Sequence, residues 1–270
     1  MNTVGASRNA GVERIAAAFA DSGKRAALMP YLMGGFPDVP TSRAIGEAYA
    51  DGGADLVELG VPFSDPLADG PVIQAAGTRA LAAGATVASV LEVASALAER
   101  FPVVLMCYAN LVYARGAAAF ASALAEAGAS GLIVPDLPLE EAAEIRDACE
   151  AAGVALVPLV APTTPDERLA AIGASARGFL YTVSVTGTTG ERAALSDAFA
   201  GVVARAKAHT RVPVALGFGI ATPEHAAQAA DAGADGVIVG SRLVRAAGEA
   251  ADPPAAVREV VAAMADALAA

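Results

Sequence analysis

Residues 58–71 read ELGVPFSDPLADGP, and this stretch carries more information than any other part of the chain. It begins inside a short apolar run, Leu56–Leu59, that contains a single carboxylate, Glu58. It continues into a loop rich in Pro and Gly that carries two more carboxylates, Asp65 and Asp69. Acids at the end of a buried strand and in the loop after it are what proton transfer on a small molecule requires.

Eight apolar runs of this kind recur, and helical patterns separate them. Each run is nearly continuous in apolar residues rather than alternating, which is typical of strands buried on both faces in a parallel sheet. The runs are Ala26–Leu32, Leu56–Leu59, Val103–Cys107, Leu132–Val134, Ala155–Val160, Phe179–Val183, Val214–Leu216 and Val237–Val239. The helical patterns are Arg43–Ala50, Val87–Arg100, Ala117–Ala127, Glu140–Ala152, Asp166–Ile172, Leu195–Ala208, Pro223–Ala232 and Pro254–Leu268.

Eight strand–helix units without a linker predict a (β/α)₈ barrel, a TIM barrel, formed as a single domain by residues 1–270. An extra helix is predicted near the N-terminus, at Val12–Ala20, and a short one, Arg242–Ala247, after the eighth strand. A doubly wound open sheet is the alternative fold. A weak repeat supports one repeated unit: residues 51–55 read DGGAD, 126–130 EAGAS and 231–235 DAGAD. Their glycines predict turns with positive φ between a helix and the next strand.

Composition excludes several classes of protein. A net charge of −11 over 270 residues argues against a nucleic-acid partner or an anionic membrane surface. Cys107 and Cys149 show no metal-ligand spacing and are expected to be buried free thiols in a reducing cytoplasm. Residues 1–25 lack a secretory signal pattern, and the most apolar stretch, Ala80–Leu97, is too polar and too short to span a bilayer. The expected location is therefore the cytoplasm.

Glu58 is the best candidate for an acid/base, because a carboxylate inside an apolar strand must be paired, protonated or functional. A structural ion pair inside the barrel is the alternative. From their residue type alone, Asp65 and Asp69 are better explained as turn or cap residues, with a role in chemistry as the alternative. His209 and His225 lie in helical patterns, where C-terminal capping or surface exposure explains them.

Three glycine-containing segments predict a phosphate site, because in such barrels the loops after strands seven and eight commonly bind phosphate. They are Gly217–Ile220 after the seventh run, Gly240-Ser241 after the eighth, and Thr186–Gly190 after the sixth. The last of these lies in a long loop that reaches to Leu195, so it is either a mobile lid or a flexible surface loop. Tyr181 faces either the core or the strand-end pocket.

These residues closely resemble the alpha chains of tryptophan synthase over nearly the whole chain. The segment Glu58–Pro71 matches the family's most specific motif, with Ile73-Gln74 extending it. The other matching segments are Met106–Asn110, Pro135–Pro138, Ser184–Gly190, Gly217–Ile220 and Gly240-Ser241. The resemblance implies a (β/α)₈ barrel and a lyase that cleaves indole-3-glycerol phosphate to indole and glyceraldehyde 3-phosphate, a retro-aldol step in tryptophan biosynthesis.

The resemblance also implies roles for individual residues. Glu58 would be the catalytic acid/base, and Asp69 would stabilise positive charge at the indole nitrogen. The implied substrate-binding residues are Tyr31, Tyr181, Thr189, Gly190, Gly219, Gly240 and Ser241. The residues implied to face the partner subunit are Asp65, Pro66, Asn110, Asp136 and Pro138.

The implied partner is the beta chain, in a linear α–β–β–α heterotetramer. Pyridoxal phosphate is expected on that beta chain, and this chain is expected to need no cofactor and no metal. The alternatives left open are a lyase that acts alone without a beta chain, and a catalytically weak subunit that mainly activates its partner. Intact Glu58 and Asp69 argue against the second.

Overall fold

The strands form one parallel sheet in the computed structural model, which describes residues 9–183, 192–217 and 219–269. They are β1 (Ala27–Met33), β2 (Val57–Gly60), β3 (Val103–Met106), β4 (Gly131–Ile133), β5 (Ala155–Leu156), β6 (Leu159–Val160), β7 (Leu180–Val183), β8 (Val214–Gly217) and β9 (Gly236–Val239). Their order is β5-β4-β3-β2-β1-β9-β8-β7-β6. Neighbouring strands follow one another along the chain except where β1 pairs with β9, as in a sheet that curls round to meet itself.

The sheet closes at the interrupted strand β5/β6, because these two pieces occupy one predicted run, Ala155–Val160. The Val157 amide donates to the Leu132 carbonyl at 2.9 Å, and the Pro158 carbonyl accepts from the Tyr181 amide at 3.1 Å. The same stretch of chain therefore pairs with β4 on one side and with β7 on the other. Proline has no amide hydrogen to donate, which accounts for the break. The prediction of a (β/α)₈ barrel is confirmed, and the open sheet is wrong.

Helices surround the sheet and join successive strands. They are α1 (Ala10–Ala20), α2 (Val39–Asp51), α3 (Pro71–Ala82), α4 (Val87–Leu97), α5 (Ala109–Tyr113), α6 (Ala117–Glu126), α7 (Ala143–Ala152), α8 (Asp166–Ser175), α9 (Arg192–Lys207), α10 (Pro223–Asp231), α11 (Ser241–Glu249) and α12 (Pro253–Ala269). A 3₁₀ turn spans Leu139–Glu141. Helices α3 and α5 are absent from the sequence-based prediction, although Pro71 at the first position of α3 is a common start signal.

Within the described ranges, no single helix is both long enough and apolar enough to cross a membrane. Helices α3 and α4 pass such a test only when they are taken together, and the chain bends by 108° between them.

The repeated glycine motif makes the turns that its sequence predicts. Gly53, Gly128 and Gly233 all have positive φ, between 74° and 92°. Each lies just after a helix and leads into the next strand, in the left-handed region where a side chain would be strained.

The aspartates of the same motif hold neighbouring strands together, a role that the sequence does not reveal. A carboxylate oxygen of Asp55 accepts the Leu28 amide at 2.7 Å, and one of Asp235 accepts the Val214 amide at 2.8 Å. Each carboxylate also pairs with a lysine ammonium at 2.8 Å. The motif thus joins β2 to β1 and β9 to β8 by the same arrangement.

Side-chain alternation along the strands separates two apolar layers. On β2, Val57 and Leu59 pack with the helices, whereas Leu56, just before the strand, packs inside the barrel. Glu58 lies between Val57 and Leu59 and so projects into the barrel. Ile15 of α1 belongs to the inner layer and is fully buried, so α1 covers the end of the barrel that lies opposite the loops after the strands.

Helix α1 is held against the barrel by a close backbone contact at Gly11. The Gly11 amide donates to the Gly153 carbonyl at 2.8 Å, and a Cβ at Gly11 would lie 2.7 Å from that oxygen. The same Cβ would also overlap the carbonyl oxygen of Ser130. Only glycine fits this position without a shift of the helix.

Gly11→Ala should therefore destabilise the chain, by about 1–3 kcal/mol as expected for overpacking. Gly201→Ala is the matched control, because Gly201 lies in α9 with open space around its Cβ position. That control should stabilise the chain by about 0.5–1 kcal/mol through helix propensity. Urea unfolding of both variants measures the difference, and equal effects would show that the contact at Gly11 is unimportant.

Candidate functional site

A cavity of about 1220 Å³ brings most of the predicted site residues together. It extends from the carboxyl ends of the strands as far as Val12 of α1 and Ser175 of α8. Its lining includes Tyr31, Glu58, Asp69, Pro138, Tyr181, Gly219, Gly240 and Ser241. These residues come from β1, β2 and β7 and from the segments that follow β2, β4, β8 and β9. Thr189, Gly190 and the rest of the predicted lid lie outside the described residues.

Glu58 is the most buried ionisable group of the site, with 1% of its surface exposed. It is level with Tyr31 of β1 on one side and with Val104 of β3 on the other. Its Oε2 has no hydrogen-bond partner among the described residues. Burial, and secondly the negative charge of Asp69, raise the pKa of Glu58 to about 8. Glu58 is therefore mostly protonated at neutral pH and can donate a proton into the cavity.

Asp69 is half-buried in the loop between β2 and α3, facing Glu58 across the cavity. Gln74 of α3 holds this loop by two hydrogen bonds. The Gln74 side-chain amide of α3 donates to the Asp69 carbonyl at 2.9 Å and to the Pro66 carbonyl at 3.2 Å. Burial raises the pKa of Asp69, while the hydroxyl of Tyr108 opposes that rise through a hydrogen bond.

Two tyrosines, Tyr31 and Tyr181, complete the buried part of the site. Each hydroxyl lies over a glycine of the next strand, Gly60 for Tyr31 and Gly217 for Tyr181, and a Cβ at either glycine would overlap it. Burial raises the pKa of both tyrosines, and the charge of Glu58 adds to the effect. Both phenols thus stay neutral and form a polar but uncharged wall beside Glu58.

Ser241 and Gly240 lie at the amino end of α11, where backbone amides have no partner inside the helix. The Gly240 carbonyl already accepts from Leu243 at 2.9 Å, so the helix is formed from its first turn. Gly219 approaches the same cavity with a φ of 81°. Amides and the positive end of a helix dipole at one side of a cavity are suited to binding a phosphate.

The residues predicted to face a partner mostly lie outside the cavity. Asp65, Asn110 and Asp136 are exposed, and Pro66 is half-buried. Pro138 is exposed too, although it also reaches the cavity edge.

Tyr108 and Leu67 were given no individual role in the sequence analysis, and His225 does not fit one of the two interpretations given for it there. Tyr108 contacts the Asp69 loop. Leu67, with 89% of its surface exposed, projects from that loop next to Asp65 and Pro66. His225 is in the first turn of α10, so capping of a helix C-terminus is wrong for it, and its Nδ1 lies 3.0 Å from the Gly219 carbonyl. Tyr108 and Leu67 lie in two segments that resemble the family, Met106–Asn110 and Glu58–Pro71, and this is the signal that the sequence carries for them.

Cys107 and Cys149 are buried and unbonded to each other, as predicted. Burial raises the pKa of both thiols, so they are unreactive core residues rather than nucleophiles. In the described part of the chain, no group of three or more His, Cys, Asp or Glu side chains is arranged to hold a metal ion.

A closed parallel barrel whose cavity holds a buried carboxyl group of raised pKa is typical of (β/α)₈-barrel enzymes. The chain belongs to the tryptophan synthase alpha chain family, whose model matches residues 18–270. The resemblance seen in the sequence is thereby confirmed. Members of this family catalyse the lyase half-reaction that cleaves indole-3-glycerol phosphate.

Curated relatives and solved structures agree with this membership. The tryptophan synthase alpha chain of Prochlorococcus marinus (strain MIT 9313) is 52% identical over 223 residues, 82% of this chain and 81% of that protein. The alpha chain of Picosynechococcus sp. is 43% identical over 247 residues, 90% of this chain and 94% of that protein.

Among solved structures, tryptophan synthase of Mycobacterium tuberculosis superposes with a TM-score of 0.87 at 40% identity, covering 95% of this chain and 98% of that one. One chain from a structure of the tryptophan synthase α2β2 complex of Pyrococcus furiosus superposes with a TM-score of 0.83 at 37% identity, covering 90% of this chain and 97% of that one.

The raised pKa of Glu58 predicts a pH-dependent stability. Between about pH 5 and pH 8 the folded chain keeps a proton on Glu58 that the unfolded chain, with a Glu pKa of about 4.3, has released. Stability should therefore fall as pH rises through this window, by up to about 1.4 kcal/mol per pH unit. The isosteric variant Glu58→Gln should lack this component. Urea unfolding of both proteins at several pH values gives the free energy of unfolding as a function of pH. The same pH dependence for the original chain and for Glu58→Gln would contradict the prediction.

Proposed function

We propose that this chain is the alpha subunit of a tryptophan synthase and that its cavity cleaves indole-3-glycerol phosphate. The observation that carries the proposal is the buried Glu58, neutral and with an unpartnered oxygen, opposite Asp69 in the same cavity. This pair can provide an acid at one position and a negative charge at another, as the retro-aldol reaction requires. The family membership supplies the substrate.

In the proposed reaction Glu58 acts first as an acid and then as a base. It gives its proton to the indole carbon that bears the glycerol chain, which leaves a cationic ring nitrogen. The ionised Glu58 then takes the proton of the adjacent hydroxyl, a carbonyl forms, and the carbon–carbon bond breaks. The bonding electrons return to the indole ring and neutralise its nitrogen. One proton enters and one leaves, so Glu58 ends protonated as it began.

Asp69 is proposed to stabilise the positive nitrogen while that charge exists. It must be ionised to do so, and its half-buried position strengthens the attraction relative to open water. The neutral phenols of Tyr31 and Tyr181 would contact the substrate without competing for the proton. The phosphate would bind at Gly219, Gly240 and Ser241, with Thr189 and Gly190 contributing from the segment between β7 and α9.

The proposed partner is the beta chain, in an α2β2 complex. Asp65, Pro66, Asn110, Asp136 and Pro138 would face it, and their exposed or half-buried positions are compatible with such a contact. Pyridoxal phosphate belongs to the beta chain, so no cofactor is proposed here. We further propose a cytoplasmic location.

Residues 1–270 are also proposed to form one domain. The closed sheet and the packing of α12 against α2 support this, as does the hydrogen bond of 2.9 Å from the Arg25 amide to the Leu268 carbonyl.

Glu58→Gln should abolish indole release, with a loss of roughly 10²- to 10⁴-fold in kcat, because Gln neither donates nor accepts the reacting proton. Binding of glycerol 3-phosphate, measured by calorimetry, should stay within about twofold of the original, since the phosphate site is separate. Both assays are run with and without a beta chain. Near-normal turnover by the variant would show that Glu58 is not the acid/base.

Ser241→Asp should raise KM for indole-3-glycerol phosphate by at least about tenfold, since about 1.4 kcal/mol of repulsion between like charges suffices. Asp is well tolerated at the start of a helix, so the fold should persist. Ser241→Ala is the matched control: it keeps the backbone amides and should change KM far less. An unchanged KM in the Asp variant would remove Ser241 from the phosphate site.

A further inference from the structure

Tyr108 lies between the loop that carries Asp69 and the short helix α5. It immediately precedes α5 and is buried, with 4% of its surface exposed. Its hydroxyl oxygen accepts the Ala68 amide at 2.9 Å, and its ring stacks on Phe63 with 5.3 Å between centroids. One side chain thus contacts the Asp69 loop near both of its ends.

The hydroxyl of Tyr108 can also act as a hydrogen-bond donor. Since its oxygen accepts from Ala68, its proton is available to the carboxylate of Asp69, which it faces. Burial, with a contribution from the charge of Asp69, raises the pKa of Tyr108 to about 12. The phenol therefore remains a donor across the physiological range, and a donor stabilises the ionised form of Asp69.

The backbone beside Tyr108 is held by Asp136, which follows β4. The carboxylate of Asp136 accepts the Ala109 amide at 2.9 Å, at the first residue of α5. Asp136 and Asn110, the next residue of α5, are both exposed. A continuous set of contacts therefore runs from this exposed surface through Ala109 and Tyr108 to Asp69.

We propose that Tyr108 is the positioning residue that orients Asp69 and connects it to the surface formed by Asn110 and Asp136. A partner that moves the start of α5 moves Tyr108 with it, because the two are adjacent in the chain. Tyr108 then shifts the amide of Ala68 and the carboxylate of Asp69 together. The inference rests on the proposed function, which places Asp69 in the reaction and the beta chain on this surface.

Tyr108→Phe tests the orientation of Asp69, because it removes the hydroxyl and keeps the ring that stacks on Phe63. The described titratable groups facing Asp69 are Glu58 of β2, Tyr31 of β1 and Tyr108 itself, and the variant changes only the last. The acid limb of kcat/KM against pH, where Asp69 ionises, should move up by about one pH unit.

Tyr113→Phe is the matched control, since it removes a half-exposed hydroxyl from the same short helix. Its pH profile should equal that of the original chain. If Tyr108 has only a structural role, Tyr108→Phe will lower the rate or the melting temperature but leave the acid limb of kcat/KM at the same pH. An acid limb that does not move therefore overturns the proposal. NMR titration of the Asp69 carboxyl carbon measures the same shift without turnover, so the result stands even if indole release fails.

The connection to the surface is tested by the stimulation of indole release that a saturating beta chain produces. This factor should be at least threefold smaller for Tyr108→Phe than for the original chain and for Tyr113→Phe. Equal stimulation of all three would overturn the connection. An original chain that releases no indole with or without a beta chain would instead refute the proposed function, a different outcome from an unmoved Asp69 titration.

Discussion

The burial of one carboxyl group, that of Glu58, is the constraint on which the rest of the site depends. The barrel surrounds it with strands on both sides and leaves one of its oxygens without a hydrogen bond in the described structure. An ionised carboxylate in that position would be strongly disfavoured, so the group keeps its proton. A barrel that tolerates this unfavourable group thereby obtains an acid that works near neutral pH.

The surroundings of Glu58 serve to keep the two carboxyl groups of the cavity different. Asp69 lies in a loop that is only half-buried, and the hydroxyl of Tyr108 favours its ionised form. The negative charge of ionised Asp69 in turn raises the pKa of Glu58. Burial raises the pKa of both carboxyl groups, but the Tyr108 hydroxyl opposes the rise at Asp69, whereas the charge of Asp69 adds to the rise at Glu58. The two acids can therefore differ in protonation, as a reaction needing both a proton and a negative charge requires.

The loop after β2 combines chemistry and contact within a few residues. Asp69 turns toward the cavity, while Asp65 and Leu67 turn toward water. Hydrogen bonds hold the loop to Gln74 of α3 and to Tyr108, which precedes α5, so its position depends on both helices. A displacement of the exposed residues Asp65 and Leu67 can therefore displace Asp69 in the cavity.

The sequence by itself determined the barrel and the acid: continuous apolar runs such as Val103–Cys107 are readable because strands buried on both faces need no polar alternation. Glu58 was recognisable for the same reason, as a charge out of place in such a run. Tertiary structure alone decided the closure at Pro158 and the meeting of Tyr108 with Ala68, which is 40 residues away in the chain. Contacts between separate strand–helix units depend on how segments far apart in the chain are brought together, and the pattern within one unit does not specify which residues of another unit it will meet.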